Sequence, residues 1–322
     1  MYAAAYYRIP QRKQAFRMKR LRPLPMEKPA AAAVLAAAIL FLAYAAASEE
    51  AVCRALRICA AVIVPSLFPY MVVSSLIVRF GAAKELGRIF AAPTGKLLRL
   101  PGSAAGAVLL GALCGFPVGA RSACELYERG EIGREDAERL IAVANNTGPA
   151  FVVEVIGAHY WGNRLFGLFL YAAQILSALL IGTVAARLSH SSAAPDDAPP
   201  SAHKIVRSDL LTSLADAVSS SALSVIAVCG FIVFFAVVTA IGECLLRALH
   251  LDFLTPFAAA FLEFSSGCAQ AASLGGYTGA FLTGFAVGWS GISVFAQSKV
   301  FTAPNGIRLR RTALSKFVQG IL

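Results

Sequence analysis

The chain has 322 residues, of which 58% are hydrophobic and only 15% are charged. This composition excludes a water-soluble globular protein, because so many apolar side chains must face lipid as well as one another. The formal net charge of +11 does not indicate nucleic-acid binding, since the basic residues cluster beside apolar segments, as they do at the cytoplasmic ends of membrane spans.

Eight apolar segments are separated by stretches that are charged or rich in Gly, Pro and Asn. About 20 mainly apolar residues cross a bilayer, and the backbone inside must pair within its own segment, which favours helices. We therefore predict an all-α, polytopic integral membrane protein with six to eight transmembrane helices in two repeat-like halves. The segments are 30–47, 55–78, 103–120, 140–158, 165–186, 222–247, 254–273 and 277–299.

The charge pattern predicts the domain organisation and the position of both termini. Residues 1–28 form a basic extension before the first membrane half, 29–187, and the polar, Pro-rich residues 188–207 link it to the second half, 208–302. The tail 303–322 is predicted to be a basic amphipathic helix at the membrane surface. Basic flanks place both termini in the cytoplasm.

Two alternatives remain open at the N-terminus. The first apolar segment ends in small residues, Ala45 to Ser48, which also fit a signal-peptide cleavage site; the length of the segment favours an uncleaved anchor. Met18 or Met26 is an alternative start of translation.

Each half contains one apolar segment with an interruption. Paired interruptions in two halves are typical of transporter binding sites, because irregular backbone within a membrane is tolerated where it lines a cavity. Close helix packing is the alternative and is favoured for the glycines alone, whereas an acid within a span is costly and indicates function. The interrupting residues are Gly115, Pro117 and Gly119 in the first half and Glu263, Ser265, Ser266 and Gly267 in the second.

Two further polar groups are candidate ligand contacts. The first group, which begins at Asn145, either interrupts a helix so that its polar groups can contact a ligand or caps the next helix. These two interpretations are compatible. The second places three polar residues on one helical face, for which interhelical hydrogen bonding is the alternative. The groups are Asn145, Asn146, Thr147, Gly148 and Pro149, followed by Glu154, and then Ser290, Ser293 and Gln297.

Catalytic and metal chemistry are not indicated. The 7 cysteines form no CxxC pair and the 4 histidines have no metal-ligand spacing. A Walker loop and a Ser nucleophile with a His partner are also missing from the pattern. We therefore expect a protein that is not an enzyme and that has no cofactor and no metal.

Six motifs in this chain are specific when taken as a set; they lie at 115–121, 125–130, 135–140, 145–149, 263–268 and 291–297. Together they resemble the sporulation integral membrane proteins of endospore-forming bacteria that carry a nucleoside-recognition, or Gate, domain. The resemblance implies a bacterial cell-membrane protein needed for spore cortex formation, with a domain related to those of concentrative nucleoside transporters and ferrous-iron permeases. The basic N-terminal extension departs from the family pattern.

Two topologies and two functions follow. Either all eight segments cross, or 103–120 and 254–273 are re-entrant hairpins, in which case six segments cross and the halves are inverted; we favour the hairpins. The leading functional hypothesis is a permease-like protein for an unknown small polar solute, with a coupling ion left open. The alternative is a membrane scaffold for cortex-building sporulation proteins. The bilayer is the expected environment, and nucleic acid is not an expected partner.

Overall fold

The computed structural model describes residues 28–80, 82–188 and 209–322. All regular structure in these ranges is helical, which confirms the all-α class. The predicted N-terminal extension and the linker 188–207 lie outside the described residues, apart from Lys28 and Leu188. The chain divides into two compact units, Met1–Tyr44 and Ala45–Leu322.

In the first unit, the described structure is helix α1 (Lys28–Ala43), which corresponds to the first predicted apolar segment. Its large apolar side chains are exposed, Leu42 by 80%. An Ala- and Leu-rich helix with an uncovered apolar surface is suited to lipid contact.

The second unit contains thirteen further α-helices within the described ranges, joined by short turns and by two π-helical stretches. They are α2 (Ala45–Ile58), a π-turn (Cys59–Ile63), α3 (Val64–Arg79), α4 (Ala82–Leu98), α5 (Ala104–Cys114), α6 (Val118–Glu128), α7 (Arg134–Ala144), a π-helix (Ala150–Tyr160), α8 (Arg164–Leu188), α9 (Leu210–Ala248), a 3-10 turn (Asp252–Leu254), α10 (Thr255–Leu262), α11 (Phe264–Leu274), α12 (Gly276–Trp289), α13 (Gly291–Thr302) and α14 (Arg310–Ile321).

The long apolar helices carry the surface expected of membrane spans. On α8, Leu165 is 76% exposed and Phe169 is 70% exposed. An apolar surface of this kind in a 25-residue helix is stable against acyl chains and not against water. The membrane location predicted from composition is thus supported by the distribution of side chains.

Judged by helix length and composition, the described ranges contain fewer candidate membrane crossings than the predicted six to eight. Three stretches in the described ranges are long and apolar enough to cross, Arg164–Leu188, Leu210–Ala248 and Gly276–Thr302, and a fourth results if Ala31–Ala43 and Ala45–Ile63 are one broken span. Interruptions divide the other apolar segments into helices such as α5, which has 11 residues. A helix of that length is too short to cross by itself.

Helices α5 and α6 form a hairpin whose tip is Gly115–Pro117. Gly111, before the tip, and Gly119, after it, both pack against Ala144: an added Cβ would lie 2.1 Å and 2.2 Å from the Ala144 carbonyl oxygen. Two residues on opposite sides of the tip meet the same neighbour only if the chain reverses there. The predicted segment 103–120 therefore ends too early, since the second arm continues to Glu128.

Helices α10 and α11 form a second hairpin with its tip at Glu263. An added Cβ at Gly267 would lie 2.3 Å from the Cα of Ala260, so the two arms touch directly across the tip. Small residues at this contact allow the backbones to approach closely. Both segments for which we favoured a re-entrant conformation therefore reverse direction.

A broken helix follows each hairpin. Helix α7 ends at Ala144, and the π-helix begins at Ala150 after four residues without regular structure, 145–148. In the second half, α12 and α13 are separated by Ser290, whose φ of +69° is in the left-handed region. We call the hairpin α5–α6 with its broken helix the first repeat, and α10–α11 with α12–α13 the second repeat.

Helix α14 packs against α7, α8 and α12. Its orientation differs from the surface helix expected of the tail. Polar residues Thr312, Lys316 and Gln319 are buried, while Leu314 is 68% exposed and Phe317 is 41% exposed. The polar face points inward because the first repeat offers it hydrogen-bond partners.

Two apolar residues of the tail, Ile307 and Leu309, are buried in the core. They belong to a cluster that also contains Leu140 and Ile141 of α7. The tail is therefore an integral part of the second unit.

Candidate functional site

In the first repeat, the hairpin tip rests on the break of the helix that follows it. The Phe116 amide donates to the Asn146 carbonyl at 2.6 Å. At Gly115 φ is +76°, and an added Cβ would lie 2.4 Å from the Gly148 nitrogen. Glycine at both contact positions permits this approach. The tip and the break therefore satisfy each other's backbone groups away from water.

In the second repeat, the same relation holds between a different pair of residues. An added Cβ at Gly291, just after the break, would lie 2.9 Å from the Phe264 nitrogen and 3.1 Å from the Leu262 carbonyl oxygen. The hairpin tip at Glu263 thus contacts the break at Ser290–Gly291. Both repeats juxtapose one tip with one break.

The two repeats meet at these four irregular points. The Phe264 ring lies 5.5 Å from that of Phe116 and 4.9 Å from that of Phe151. The Asn145 side-chain amide donates to the Ser298 hydroxyl at 3.1 Å, which joins the first break to α13. Residues distant in sequence are therefore brought to one place.

A cavity of about 120 Å³ lies where the repeats meet, with room for several water molecules. Helices α3 and α9 line part of it with mainly apolar side chains, and the repeats supply most of its polar groups. Six predicted site residues line it: Thr147, Gly148, Pro149, Glu263, Ser265 and Gln297.

A second cavity, of about 210 Å³, adjoins the first. Glu263 and Ser265 line both, while Arg54 and Glu243 line the second cavity alone. The tip of the second hairpin therefore stands between the two spaces.

The carboxylate of Glu263 is buried and caps helix α11. It accepts from the amides of Ser265 at 3.1 Å and Ser266 at 2.7 Å, and from the Ser265 hydroxyl at 2.8 Å. A helix N-terminus stabilises negative charge because its amides lack intrahelical partners and the helix dipole is positive there. This contact explains how an acid is accommodated in an apolar surrounding.

Several buried oxygen atoms at the site have no hydrogen-bond partner among the described residues. They include Thr147 Oγ1 and Gln297 Oε1, both from residues that line the first cavity. Others are Asn145 Oδ1 and Ser293 Oγ. Buried polar atoms are usually paired, so these atoms are free to form hydrogen bonds with a bound molecule.

Some predicted residues lie apart from the cavity. Glu154 is 54% exposed in its side chain and pairs with Arg164 at 2.8 Å. Ser290 is the left-handed residue of a break, and its hydroxyl donates to the Val287 carbonyl at 3.3 Å. Gly119 and Gly267 pack the hairpins. These three Gly and Ser positions shape the repeats without lining the cavity.

The structure also reveals polar residues that the sequence analysis did not select. Arg121 is buried and donates to Ser75 at 3.2 Å, to Ser220 at 3.0 Å and to Ser221 at 3.3 Å, which fixes the first hairpin to α3 and α9. The stretch 121–139 is highly charged, with nearly balanced signs. Its balanced charge hid the buried face, which an amphipathic pattern in α6 would have indicated.

Lys316, Gln319 and Gln174 are a second unselected group. The Lys316 ammonium donates to Asn146 Oδ1 at 2.6 Å, and Gln319 Nε2 donates to the Gln174 carbonyl at 2.6 Å. Gln174 is the residue by which the sequence could have indicated this group, since a side-chain amide inside the apolar helix α8 requires a hydrogen-bond partner.

The chain is similar to a known protein of sporulating bacteria. No family model matches the chain and no solved structure matches it. It is 24% identical over 292 aligned residues, which cover 81% of this chain and 72% of the relative, to the sporulation integral membrane protein YlbJ of Bacillus subtilis (strain 168). Over most of its length, the chain is therefore similar to an integral membrane protein of sporulation.

Proposed function

We propose that the chain is a permease-like membrane protein that moves a small polar solute across a membrane during sporulation, in support of spore cortex formation. The observation that carries the proposal is a cavity lined by residues of both hairpin tips and of the first helix break, with Glu263 among its polar groups. Irregular backbone inside a membrane protein is favoured where it lines a binding site. The association with sporulation comes from the relative and from the sequence motifs, including those typical of a Gate domain.

The arrangement of the repeats supports alternating access. If the broken helix of the first repeat, α8 and α9 each cross once, the chain crosses three times between the hairpins, and the hairpins enter from opposite faces. Inverted repeats of this kind move against each other around a central site in many transporters. With the basic flanks inside, the first hairpin enters from the cytoplasm and both termini are cytoplasmic.

The chemistry of the cavity favours a solute rich in hydrogen-bond donors. The Glu263 carboxylate and the unpartnered oxygens of Thr147 and Gln297 are acceptors. The phenyl rings of Phe116 and Phe264 offer faces for stacking. A neutral or cationic polar molecule with N–H or O–H groups and a flat apolar face matches this set.

Glu263→Gln tests the proposal, because it removes the charge and retains an oxygen that can cap α11. We expect at least a tenfold loss of heat-resistant spores with normal amounts of folded protein in the membrane. Glu154→Gln is the matched control, since that carboxylate is exposed and lies outside the cavity. Normal spores from the Glu263→Gln strain would contradict a charge-dependent site.

A non-transporting scaffold is the second candidate, and the capping role of Glu263 favours it. Each carboxylate oxygen is already bonded at the start of α11, as expected of a residue with a structural role. Thr147→Val separates the two. Removing a buried hydroxyl that has no partner should leave stability unchanged or raise it. Fewer heat-resistant spores despite retained stability favour transport, and normal spores favour the scaffold.

A further inference from the structure

Lys316 is the most deeply buried charged residue in the described part of the chain. It is 1% exposed and lies on α14, inside the second unit. Its ammonium donates to Asn146 Oδ1 at 2.6 Å and to Gln319 Oε1 at 2.8 Å. Both partners are neutral amides. Burying an ammonium normally requires a carboxylate, because the loss of hydration costs several kcal/mol.

Two carboxylates in the first turn of α7, a helix that packs against α14, are engaged with arginines. Glu135 pairs with Arg311 at 2.7 Å and Asp136 pairs with Arg139 at 3.3 Å. Within the described ranges, Lys316 has no ion pair with an acid. Its two hydrogen-bond acceptors are therefore amide oxygens.

The surrounding amides are oriented for a cation. Asn146 Nδ2 donates to the Val143 carbonyl at 2.6 Å, which leaves Oδ1 for the ammonium. Gln319 Nε2 is held by the Gln174 carbonyl, so its Oε1 also points to Lys316. The break is the C-terminal end of α7, where the helix dipole is negative and carbonyl groups lack intrahelical partners.

We infer that the two amide oxygens between the first break and α14, Asn146 Oδ1 and Gln319 Oε1, form a monovalent-cation site, and that Lys316 fills it with an ammonium group supplied by the chain itself. Oxygen ligands at a helix C-terminus are suited to a hard cation, and an ammonium has nearly the size of a potassium ion. The tether also fastens α14 to the break. A free cation is consequently not required at this point of the first repeat, whichever function the cavity serves.

Lys316→Ala tests the inference by emptying the site. We expect the purified variant to unfold at a lower temperature in choline chloride and to be restored by ammonium or potassium chloride at equal ionic strength. A cation concentration of about 100 times the dissociation constant should raise the midpoint temperature of unfolding by about 5 °C or more. Lys299→Ala, at an exposed lysine on α13, is the control and should show no such difference between the salts.

The variant is to be expressed and extracted with ammonium present. Lack of restoration by either cation, or failure to obtain folded protein in ammonium, would overturn the inference.

Lys316→Met gives a second test, because it keeps the length of the side chain and blocks the site. We expect lower stability than wild type in every salt; a methionine variant as stable as the wild type would show that the charge is dispensable. These measurements of stability are independent of transport.

Discussion

The two repeats share one architecture and treat charge in opposite ways. In the first, the contact between hairpin tip and helix break contains amides, and its charge is the Lys316 ammonium brought in by α14. In the second, the Glu263 carboxylate belongs to the hairpin tip itself and caps α11. A helix C-terminus thus receives a cation and a helix N-terminus receives an anion. In each repeat, the helix dipole at the end where the charge lies matches the sign of that charge.

This difference separates the parts that build the repeats from those that build the site. In each repeat, a glycine lets the hairpin tip pack closely against the helix break of the same repeat. The charged residues, in contrast, differ between the repeats and contact different neighbours. Variants at the shared contacts should therefore affect folding, and variants at the charges should affect binding or cation dependence.

The largest expected effect concerns the direction of the repeats. A periplasm-active phosphatase fused at Asp196, in the predicted linker and outside the described residues, should be inactive, because the hairpin topology places 188–207 in the cytoplasm. A cytoplasm-active reporter at the same position should be active. Phosphatase activity at Asp196 would reverse the conclusion and indicate eight crossings with parallel halves.

The next largest effect concerns the glycine contact of the first repeat. Gly115→Ala should lower the free energy of unfolding by about 3 kcal/mol, since an added Cβ would lie 2.4 Å from the Gly148 nitrogen and φ is +76°. Gly162→Ala is the control, because its φ of +62° carries the same strain with open space around it.

The corresponding variant of the second repeat, Gly291→Ala, should cost less than Gly115→Ala, as its nearest atom is 2.9 Å away. The midpoint of thermal unfolding in detergent measures all three variants. Equal losses for Gly115→Ala and Gly162→Ala would show that the tip does not rest on the break.

The smallest expected effect concerns the direct polar contact between the repeats. The Asn145 amide donates to the Ser298 hydroxyl at 3.1 Å, and a buried hydrogen bond of this kind contributes about 1 kcal/mol. A double-mutant cycle with Asn145→Ala and Ser298→Ala should give a coupling energy of about 1 kcal/mol. Additive losses of stability would mean that the repeats are held together by apolar packing alone.

Many features of the fold were predictable from residues close in sequence. Pro117 and the Gly115–Gly119 spacing predicted a break in an apolar helix, and Asn145–Pro149 predicted another. Such breaks depend on φ angles and missing amide protons, which are properties of the residues themselves. The end of the first hairpin was placed too early because α6 is charged and resembles a solvated helix.

The candidate site was predictable in part. Glu263 was selected because an acid in an apolar segment is costly, and the structure places it at the cavity. Glu154 was selected by the same reasoning, but it lies at an exposed position with Arg164. Lys316 was overlooked, since a lysine in a basic amphipathic tail is usually solvated. The partner of a charge depends on contacts distant in sequence, which the pattern does not contain.

The sequence by itself determined that this is an all-helical membrane protein with helices broken at particular residues, because hydropathy and backbone restrictions act locally. The tertiary structure alone decided that the broken segments reverse as hairpins, that both hairpin tips and the first break meet at one cavity, and that α14 turns its polar face inward. These features arise from packing between distant segments. There a buried polar group is stable only where another segment supplies its partner.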